Sequence, residues 1–221
     1  MSRDSASREQ TKENLLRAAI RVFGDKGFQA ATVREICQAA GANVAAVNYH
    51  FGGKEALYAA VLELMFASSK HCGRDLPCPS PGAPAEERLR HLIRRSVLEI
   101  YGDLEGEDQA HCQALSSLFL MEMAHPSPDL DGVIARHVRP DTDELFSILS
   151  ELLDRAPDDE LVKDAGACVM GQVLFYTVGQ PIVDRLRLGE AQSEPPDLER
   201  LAEAITRFSL AGIAGLKKNP L

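Results

Sequence analysis

Apolar residues recur at helical spacing from the first part of the chain. Leu15, Ala19 and Phe23 fall on one line of a helix that begins near Thr11, and Gly27 is placed to end it as a C-terminal cap. The ten residues before Thr11 are polar and carry no apolar stripe, so we expect them to form an arm outside the helix. The pattern predicts a first helix from Thr11 to Gly27.

Two short helices follow, each marked by its own capping residue. Thr32 and Glu35 have the spacing of a capping box, in which each side chain accepts the backbone N–H of the other residue, and Gly41 is expected to end that helix. Asn43 is an N-cap candidate for the next helix, which the pair Gly52-Gly53 ends. Two short helices around a glycine-containing turn are typical of the helix-turn-helix, whose second helix lies in the major groove of DNA.

The outward face of the second short helix supplies candidate contacts to bases. With Val47 and Phe51 directed inward, the side chains left to meet DNA are Ala45, Ala46, Asn48, Tyr49 and His50. Asparagine can pair with adenine, tyrosine and histidine can donate to a base edge or a phosphate, and alanine can touch a thymine methyl. Thr32, at a helix N-terminus, and Lys54 are better placed for phosphates.

The rest of the chain also follows a helical period. After a fourth helix from Lys54 to Lys70 and a proline-rich linker at 73–84, we expect helices at about 85–103, 108–124, 130–155, 158–188 and 197–217. Pro140 and Pro181 lie inside the third and fourth of these, so each should kink or split. No alternating β pattern of useful length is present, and the sequence predicts an all-α fold.

The N-terminal residues carry a resemblance to a known family. The segments 32–36 (TVREI) and 41–58 (GANVAAVNYHFGGKEALY) resemble the DNA-binding domain of TetR-type transcriptional regulators. The resemblance implies a three-helix helix-turn-helix domain at 1–55 and a larger helical-bundle domain at 56–221 that dimerises and binds an inducer. Many members have Tyr where this chain has Asn48, so an operator sequence cannot be taken from better-known relatives. The resemblance implies DNA contacts from Thr32, Asn43, Ala45, Ala46, Tyr49, His50 and Lys54.

The C-terminal half resembles the CecR-like branch of that family. The residues that carry this likeness are Arg139-Pro140, the run 171–176 (GQVLFY) and Gln180-Pro181. The resemblance implies control of transport or drug-resistance genes, with repression as the family expectation.

The charge is divided unevenly along the chain. The protein has 221 residues and a net charge of −9, which is unusual for a DNA-binding protein taken as a whole. Residues 1–54 hold eight Lys or Arg against five acids, whereas the remainder holds 16 against 28. A basic N-terminal module can meet phosphates while an acidic body discourages binding in the wrong orientation.

Methionines and aromatics in the C-terminal domain could line a pocket for a largely apolar inducer. Side chains of this kind at helical spacing are more often plain core, although Gln172 and Tyr176 at i and i+4 could orient a ligand. Glu122 or His125 could bind a cationic group or a hydrogen-bond donor of the ligand. The candidate ligand-binding residues are Phe119, Met123, Phe146, Gln172, Phe175 and Tyr176.

Helices that begin near residues 164 and 197 are candidates for a homodimer interface. Small residues allow close helix approach at Ala165, Gly166, Gly171, Ala204, Ala211 and Gly212, and apolar area comes from Leu201, Ile205, Phe208 and Ile213. A two-fold dimer places two reading helices about 34–36 Å apart or a multiple of that distance, which predicts a palindromic operator. The inducer would then favour a dimer form that cannot match the operator, acting through the fourth helix.

Other classes of protein fit the sequence less well. Six histidines show no metalloprotease spacing and no glycine-rich phosphate loop is present, so an enzyme is not expected. Five irregularly spaced cysteines suit a reducing compartment, with no metal and no cofactor predicted. Without a membrane-length apolar run or signal peptide, we expect a cytoplasmic protein. The alternative that stays open is a DNA-associated adaptor whose acidic C-terminal domain binds a protein partner.

Overall fold

The structure is a computed structural model that describes residues 3–69, 76–80, 82–101, 109–128, 130–186 and 197–219. Every regular element among these residues is an α-helix. The ten helices are α1 Arg3–Ala30, α2 Val33–Ala40, α3 Val44–Phe51, α4 Lys54–Ser69, α5 Ala85–Tyr101, α6 Gln109–Ala124, α7 Leu130–His137, α8 Arg139–Leu153, α9 Glu160–Leu186 and α10 Leu198–Lys218. The predicted all-α fold is confirmed.

Helix α1 begins eight residues before the predicted start, so the expected arm is wrong for residues 3–10. Local polar bonds support this first part: the Thr11 hydroxyl donates to the Ser7 carbonyl at 2.9 Å, and the Gln10 amide donates to Asn14 Oδ1 at 3.2 Å. At the other end, Gly27 has φ 75° and ψ 168°, which breaks the helical backbone where the sequence placed its cap.

The two internal prolines behave differently. The predicted helix at 130–155 is split into α7 and α8, and Pro140 lies in the first turn of α8, where its missing N–H costs no helical hydrogen bond. Helix α9 is not divided at Pro181. None of the described helices is long and apolar enough to span a membrane.

The described helices form two compact units. The first unit contains α1–α4 together with α6 and α7. Its core joins the apolar stripe of α1 to side chains of α2, α3, α4 and α6, among them Phe23, Ile36, Val47, Leu62 and Leu118. The predicted domain boundary at residue 55 stays a prediction, and the packing places α6 and α7 in one compact unit with α1–α4.

Helix α6 approaches α1 very closely inside the first unit. A Cβ atom added to Gly24 would lie 2.6 Å from the carbonyl oxygen and 2.9 Å from the Cα of Ala114. Only a residue without a side chain permits this backbone contact.

The second unit contains α5 and α8–α10. Its core is mainly aliphatic and includes Leu89, Ile93, Ile148, Val162 and Ile205. Arginines of α5 pair with acids of α8 and α10 at the rim of this core, in the pairs Arg88–Glu151, Arg90–Glu203, Arg94–Glu199 and Arg95–Asp141.

Candidate DNA-binding surface and regulatory residues

Local side-chain chemistry fixes the start of α2. Glu35 N donates to Thr32 Oγ1 at 3.3 Å, while the Thr32 N–H and hydroxyl donate to Glu35 Oε2 at 3.0 and 2.8 Å. The predicted capping box is therefore present. Lys26 Nζ also contacts Glu35 Oε1 at 2.7 Å. The hydrogen bonds from Lys26 and Thr32 lower the pKa of Glu35 to about 2.

The turn and the ends of α3 follow the predicted pattern. Gly41 has φ 63°, in the left-handed region that favours glycine, and ends α2. Asn43 Oδ1 accepts from the Ala45 N–H at 3.0 Å and caps α3. Gly52, with φ 89°, donates its N–H to the Asn48 carbonyl at 3.0 Å and ends the helix. Capping residues therefore fix the ends of both helices, and the buried Ile36 and Val47 pack them on the core of the first unit.

Helix α3 buries one side and presents the other. Val47 is fully buried and Ala46 packs partly against the core, whereas Tyr49 is 68% exposed. Ala45 and Asn48 are also exposed, and His50 is half-buried. The exposed side chains come together on one helix face, with the Tyr49 and His50 rings edge to face at 5.0 Å. Contact of these residues with DNA stays a prediction.

One exposed residue was missed by the sequence pattern. Val44 fits the apolar period of α3, but it is 48% exposed at the first position of the helix. A valine there can contact a thymine methyl group. The proximity of Val44 to the Asn43 cap was the signal that could have identified it, because first-turn side chains of a reading helix reach base edges.

Thr32 and Lys54 take different positions. Thr32 is exposed at the N-terminus of α2, but its hydroxyl is engaged in the capping box. Lys54, the first residue of α4, lies with Nζ 4.5 Å from the centroid of the Phe28 ring. This cation–π contact holds the ammonium group in a defined place.

The candidate ligand-binding residues do not share one unit. Phe119 and Met123 lie on α6 of the first unit: Phe119 is half-buried against Phe66 at 6.4 Å between centroids, and Met123 is 54% exposed. Phe146, Gln172 and Phe175 belong to the second unit. The Tyr176 side chain lies outside the described residues.

Two polar residues considered as ligand contacts bond within the protein. Gln172 Nε2 donates to the Cys168 carbonyl at 3.1 Å and to Ser209 Oγ at 3.2 Å, which joins α9 to α10. Glu122 is buried and accepts hydrogen bonds from Tyr58 and Ser127. The ligand-binding assignments of the sequence stay predictions.

The candidate dimer face is smaller than the sequence suggested. Leu201, Ile205 and Ile213 are buried in the core of the second unit, and Gly166 packs against the Phe146 ring. Ala165 is buried in the same core, and the remaining candidates are exposed on α9 and α10, with Phe208 73% exposed. These exposed residues are Gly171, Ala204, Phe208, Ala211 and Gly212.

Comparison with known families identifies the class of the protein. Residues 15–61 match the family described as bacterial regulatory proteins, tetR family, and residues 85–213 match the C-terminal domain of the HTH-type transcriptional dual regulator CecR. The second match covers more than half of the chain. The protein therefore belongs to the TetR family of transcriptional regulators and to its CecR-like branch, as the sequence predicted. This is a family of regulators and not of enzymes.

Individual relatives agree with this assignment. The chain is similar to the transcriptional dual regulator CecR of Shigella flexneri, at 27% identity over 226 aligned positions and 96% of each chain. It is 34% identical over 85 residues to the transcriptional repressor NicS of Pseudomonas putida, covering 38% of this chain and 39% of NicS. Among solved structures, FadR from Bacillus subtilis in complex with stearoyl-CoA matches with a TM-score of 0.60 and 18% identity, covering 90% of this chain and 98% of FadR. That similarity concerns the fold alone.

Proposed function

We propose that the protein is a repressor that binds a palindromic operator through α3 and is released by a small, largely apolar inducer. The exposed face of α3 carries this proposal, because Asn48 and Tyr49 stand outward from a helix that is capped at both ends. Residue types that hydrogen-bond bases and phosphates are therefore held on a rigid element. The candidate contacts are Thr32, Asn43, Ala45, Ala46, Asn48, Tyr49, His50 and Lys54, to which the structure adds Val44.

The family branch supports a proposal for the kind of genes regulated, and the named relatives support one for the kind of inducer. Membership of the CecR-like branch favours transport or drug-resistance genes as targets of a cytoplasmic regulator, and the name of NicS favours repression. The ligand in the FadR structure carries an apolar acyl chain, which is compatible with a largely apolar inducer here. Release by about a hundredfold requires roughly 2.7 kcal/mol of differential binding between two forms of the protein.

A homodimer formed through α9 and α10 completes the proposal. An exposed Phe208 beside small residues allows two helices of each subunit to pack closely around a two-fold axis. We expect Phe208→Arg to shift the chain from dimer to monomer in sedimentation velocity, because it would bury an unpaired charge at the interface. A monomeric unmodified chain at micromolar concentration would contradict this part of the proposal.

Binding-site selection from random DNA duplexes tests the function. The unmodified chain should enrich a palindrome whose half-sites are separated by about one helical turn or a multiple. Enrichment of no sequence would contradict the repressor proposal and would favour an adaptor that binds a protein partner.

A further inference from the structure

A carboxylate on α6 is buried in the first unit. Glu122, on the last turn of α6, is 4% exposed, and among the described residues it is the one acidic side chain that is buried. Its oxygens accept hydrogen bonds from the Tyr58 hydroxyl, from the Ser127 N–H at 3.1 Å and from the Ser127 hydroxyl at 2.9 Å. Burying a carboxylate costs free energy even when hydrogen-bond donors surround it. An apolar residue would fill the same space at a lower cost.

Tyr58 connects this carboxylate to the aromatic side chains of the first unit. The Tyr58 ring is buried, meets Phe23 edge to face at 4.8 Å and packs on Phe28 at 4.7 Å. The Lys54 ammonium group in turn lies over the Phe28 ring, 4.5 Å from the ring centroid. A continuous series of contacts therefore runs from Glu122, through two rings, to a candidate phosphate-binding lysine.

Helix α4 has a second polar attachment nearer its C-terminal end. Glu63 forms an ion pair with Arg136 and lies within hydrogen-bond distance of His137, at 2.6 Å between His137 Nε2 and Glu63 Oε2. Together with the bond between Tyr58 and Glu122, this attachment joins α4 to both α6 and α7. The rotation of Tyr58 and the course of α4 are thus fixed by residues far away in the sequence.

We propose that Glu122 is a positioning residue for DNA recognition, which holds the Tyr58 ring and, through Phe28, fixes the Lys54 ammonium group for a phosphate contact. This inference rests on the proposed operator binding. It also deepens the regulation, because an O–H···O bond is lost when its atoms separate by about 1 Å beyond their normal distance. A displacement of α6 by that distance would break the bond between Glu122 and Tyr58. The ring packing that positions the Lys54 ammonium group would then loosen.

Three substitutions separate positioning from space filling. Tyr58→Phe removes the hydroxyl and keeps the ring. Glu122→Leu keeps volume without an acceptor, whereas Glu122→Gln keeps an oxygen for the Tyr58 hydroxyl and should rescue binding. The matched control is Thr206→Val, which removes a buried hydroxyl that donates to the Ala202 carbonyl in the second unit. Circular dichroism melts report folding for each variant.

The measurement is the affinity of the full chain for the duplex enriched by the unmodified chain, over a range of salt concentration. We expect Tyr58→Phe and Glu122→Leu to weaken binding about tenfold, because each would loosen the one charge-assisted contact between Lys54 and a phosphate. The log–log salt slope should fall by about 0.9 for each lost phosphate contact. Glu122→Gln and Thr206→Val should stay within about threefold of the unmodified chain.

A double variant provides the decisive comparison. If Tyr58 acts through Lys54, Tyr58→Phe combined with Lys54→Met should bind no more weakly than Lys54→Met alone. Additive losses, or a Tyr58→Phe variant with unchanged affinity and salt slope, would overturn the positioning role while leaving the repressor proposal intact. Enrichment of no duplex by the unmodified chain would overturn both.

Discussion

Within each of the two units, different contacts join the helices around an apolar core. In the first unit, α1, α4 and α6 meet through aromatic rings, a buried carboxylate and a backbone contact at Gly24. In the second unit, α5, α8, α9 and α10 meet through aliphatic side chains, with ion pairs along the edge. Both units bury an apolar core, but the first adds contacts that depend on the positions of individual atoms, whereas the second adds ion pairs at the rim of its core.

This difference agrees with the tasks proposed for the two units. A unit that reads DNA must hold a few side chains within a fraction of an ångström, and directional bonds provide that control. In the second unit, acids of α8 and α10 are partly balanced by arginines of α5. The ion pairs of α5 therefore stabilise the fold of the second unit. In the first unit, Arg17 and Arg21 are exposed.

The largest effect should come from filling the contact between α1 and α6. We expect Gly24→Ala to lower the free energy of unfolding by about 2 kcal/mol, despite a gain in helix propensity of about 1 kcal/mol, because the obstacle is the Ala114 backbone. Gly166→Ala creates an equally short contact of 2.6 Å, but with the Phe146 ring, which can rotate. That change should cost less than about 1 kcal/mol.

Chemical denaturation measures both changes, with Gly132→Ala as the control. The nearest atoms to a Cβ at Gly132 are 3.6 Å away in the flexible Arg136 guanidinium, so this variant should be neutral or slightly more stable. Equal losses for Gly24→Ala and Gly166→Ala would remove the distinction between the units that we draw from packing.

A smaller effect should distinguish two arginines of the second unit. The Arg95 side chain is 20% exposed and lies 2.9 Å from Asp141 and 3.0 Å from Glu144. Burial lowers the pKa of Arg95, but these carboxylates outweigh it and raise the value above its ordinary range. Arg95→Met should cost about 1 kcal/mol, since it removes a half-buried cation that contacts two partly exposed carboxylates.

Arg94→Met is the matched change at an exposed pair. Arg94 contacts Glu199 at 2.6 Å with both side chains exposed, so its loss should cost less than about 0.5 kcal/mol. Urea denaturation at low and high salt compares the two variants. A cost for Arg94→Met as large as that for Arg95→Met would show that burial does not set the strength of these pairs.

The capping box of the first unit should give a smaller, pH-dependent contribution. Because the pKa of Glu35 is lowered from 4.5 to about 2, its stabilising effect is complete above pH 4.5 and is lost as pH falls towards 2. Glu35→Gln should therefore reduce the thermal stability at pH 6 and flatten its decline between pH 4.5 and 2. A decline as steep as that of the control Glu13→Gln would contradict this.

The smallest effect concerns reactivity instead of stability. Burial raises the pKa of the Cys37 thiol, although a backbone hydrogen bond at Val47 partly opposes the shift, whereas Cys78 is exposed. Iodoacetamide at pH 7.5 should modify Cys78 rapidly and Cys37 only after denaturation, as peptide mass spectrometry would show. Rapid modification of Cys37 in the folded chain would indicate that α2 opens more readily than its packing suggests.

The helix-turn-helix could be predicted from the sequence because its determinants are local. Thr32, Glu35, Gly41, Asn43 and Gly52 each act within five residues of their own position, and all five behave as predicted. The burial of Val47 and the exposure of Tyr49 follow from helical period in the same way.

The remaining features depend on contacts between distant residues. The sequence placed α6 among the ligand-binding helices, but a close approach of Ala114 to Gly24 cannot be read from either segment alone. Glu122 lies between two methionines in the sequence and was considered for reading a ligand, whereas its partner Tyr58 is 64 residues away. The start of α1 was missed because its first residues form a helix without an apolar stripe to mark it.

The central claim is that the exposed face of α3 reads the operator. The most direct measurement is the salt-dependent affinity of the selected palindrome for the unmodified chain, for Tyr49→Ala and for Ile134→Ala, which shortens an exposed apolar side chain on α7 of the same unit. We expect Tyr49→Ala to weaken operator binding by at least about tenfold and to leave affinity for unrelated duplexes nearly unchanged, with Ile134→Ala matching the unmodified chain. Equal affinity of all three proteins for the palindrome would contradict the claim.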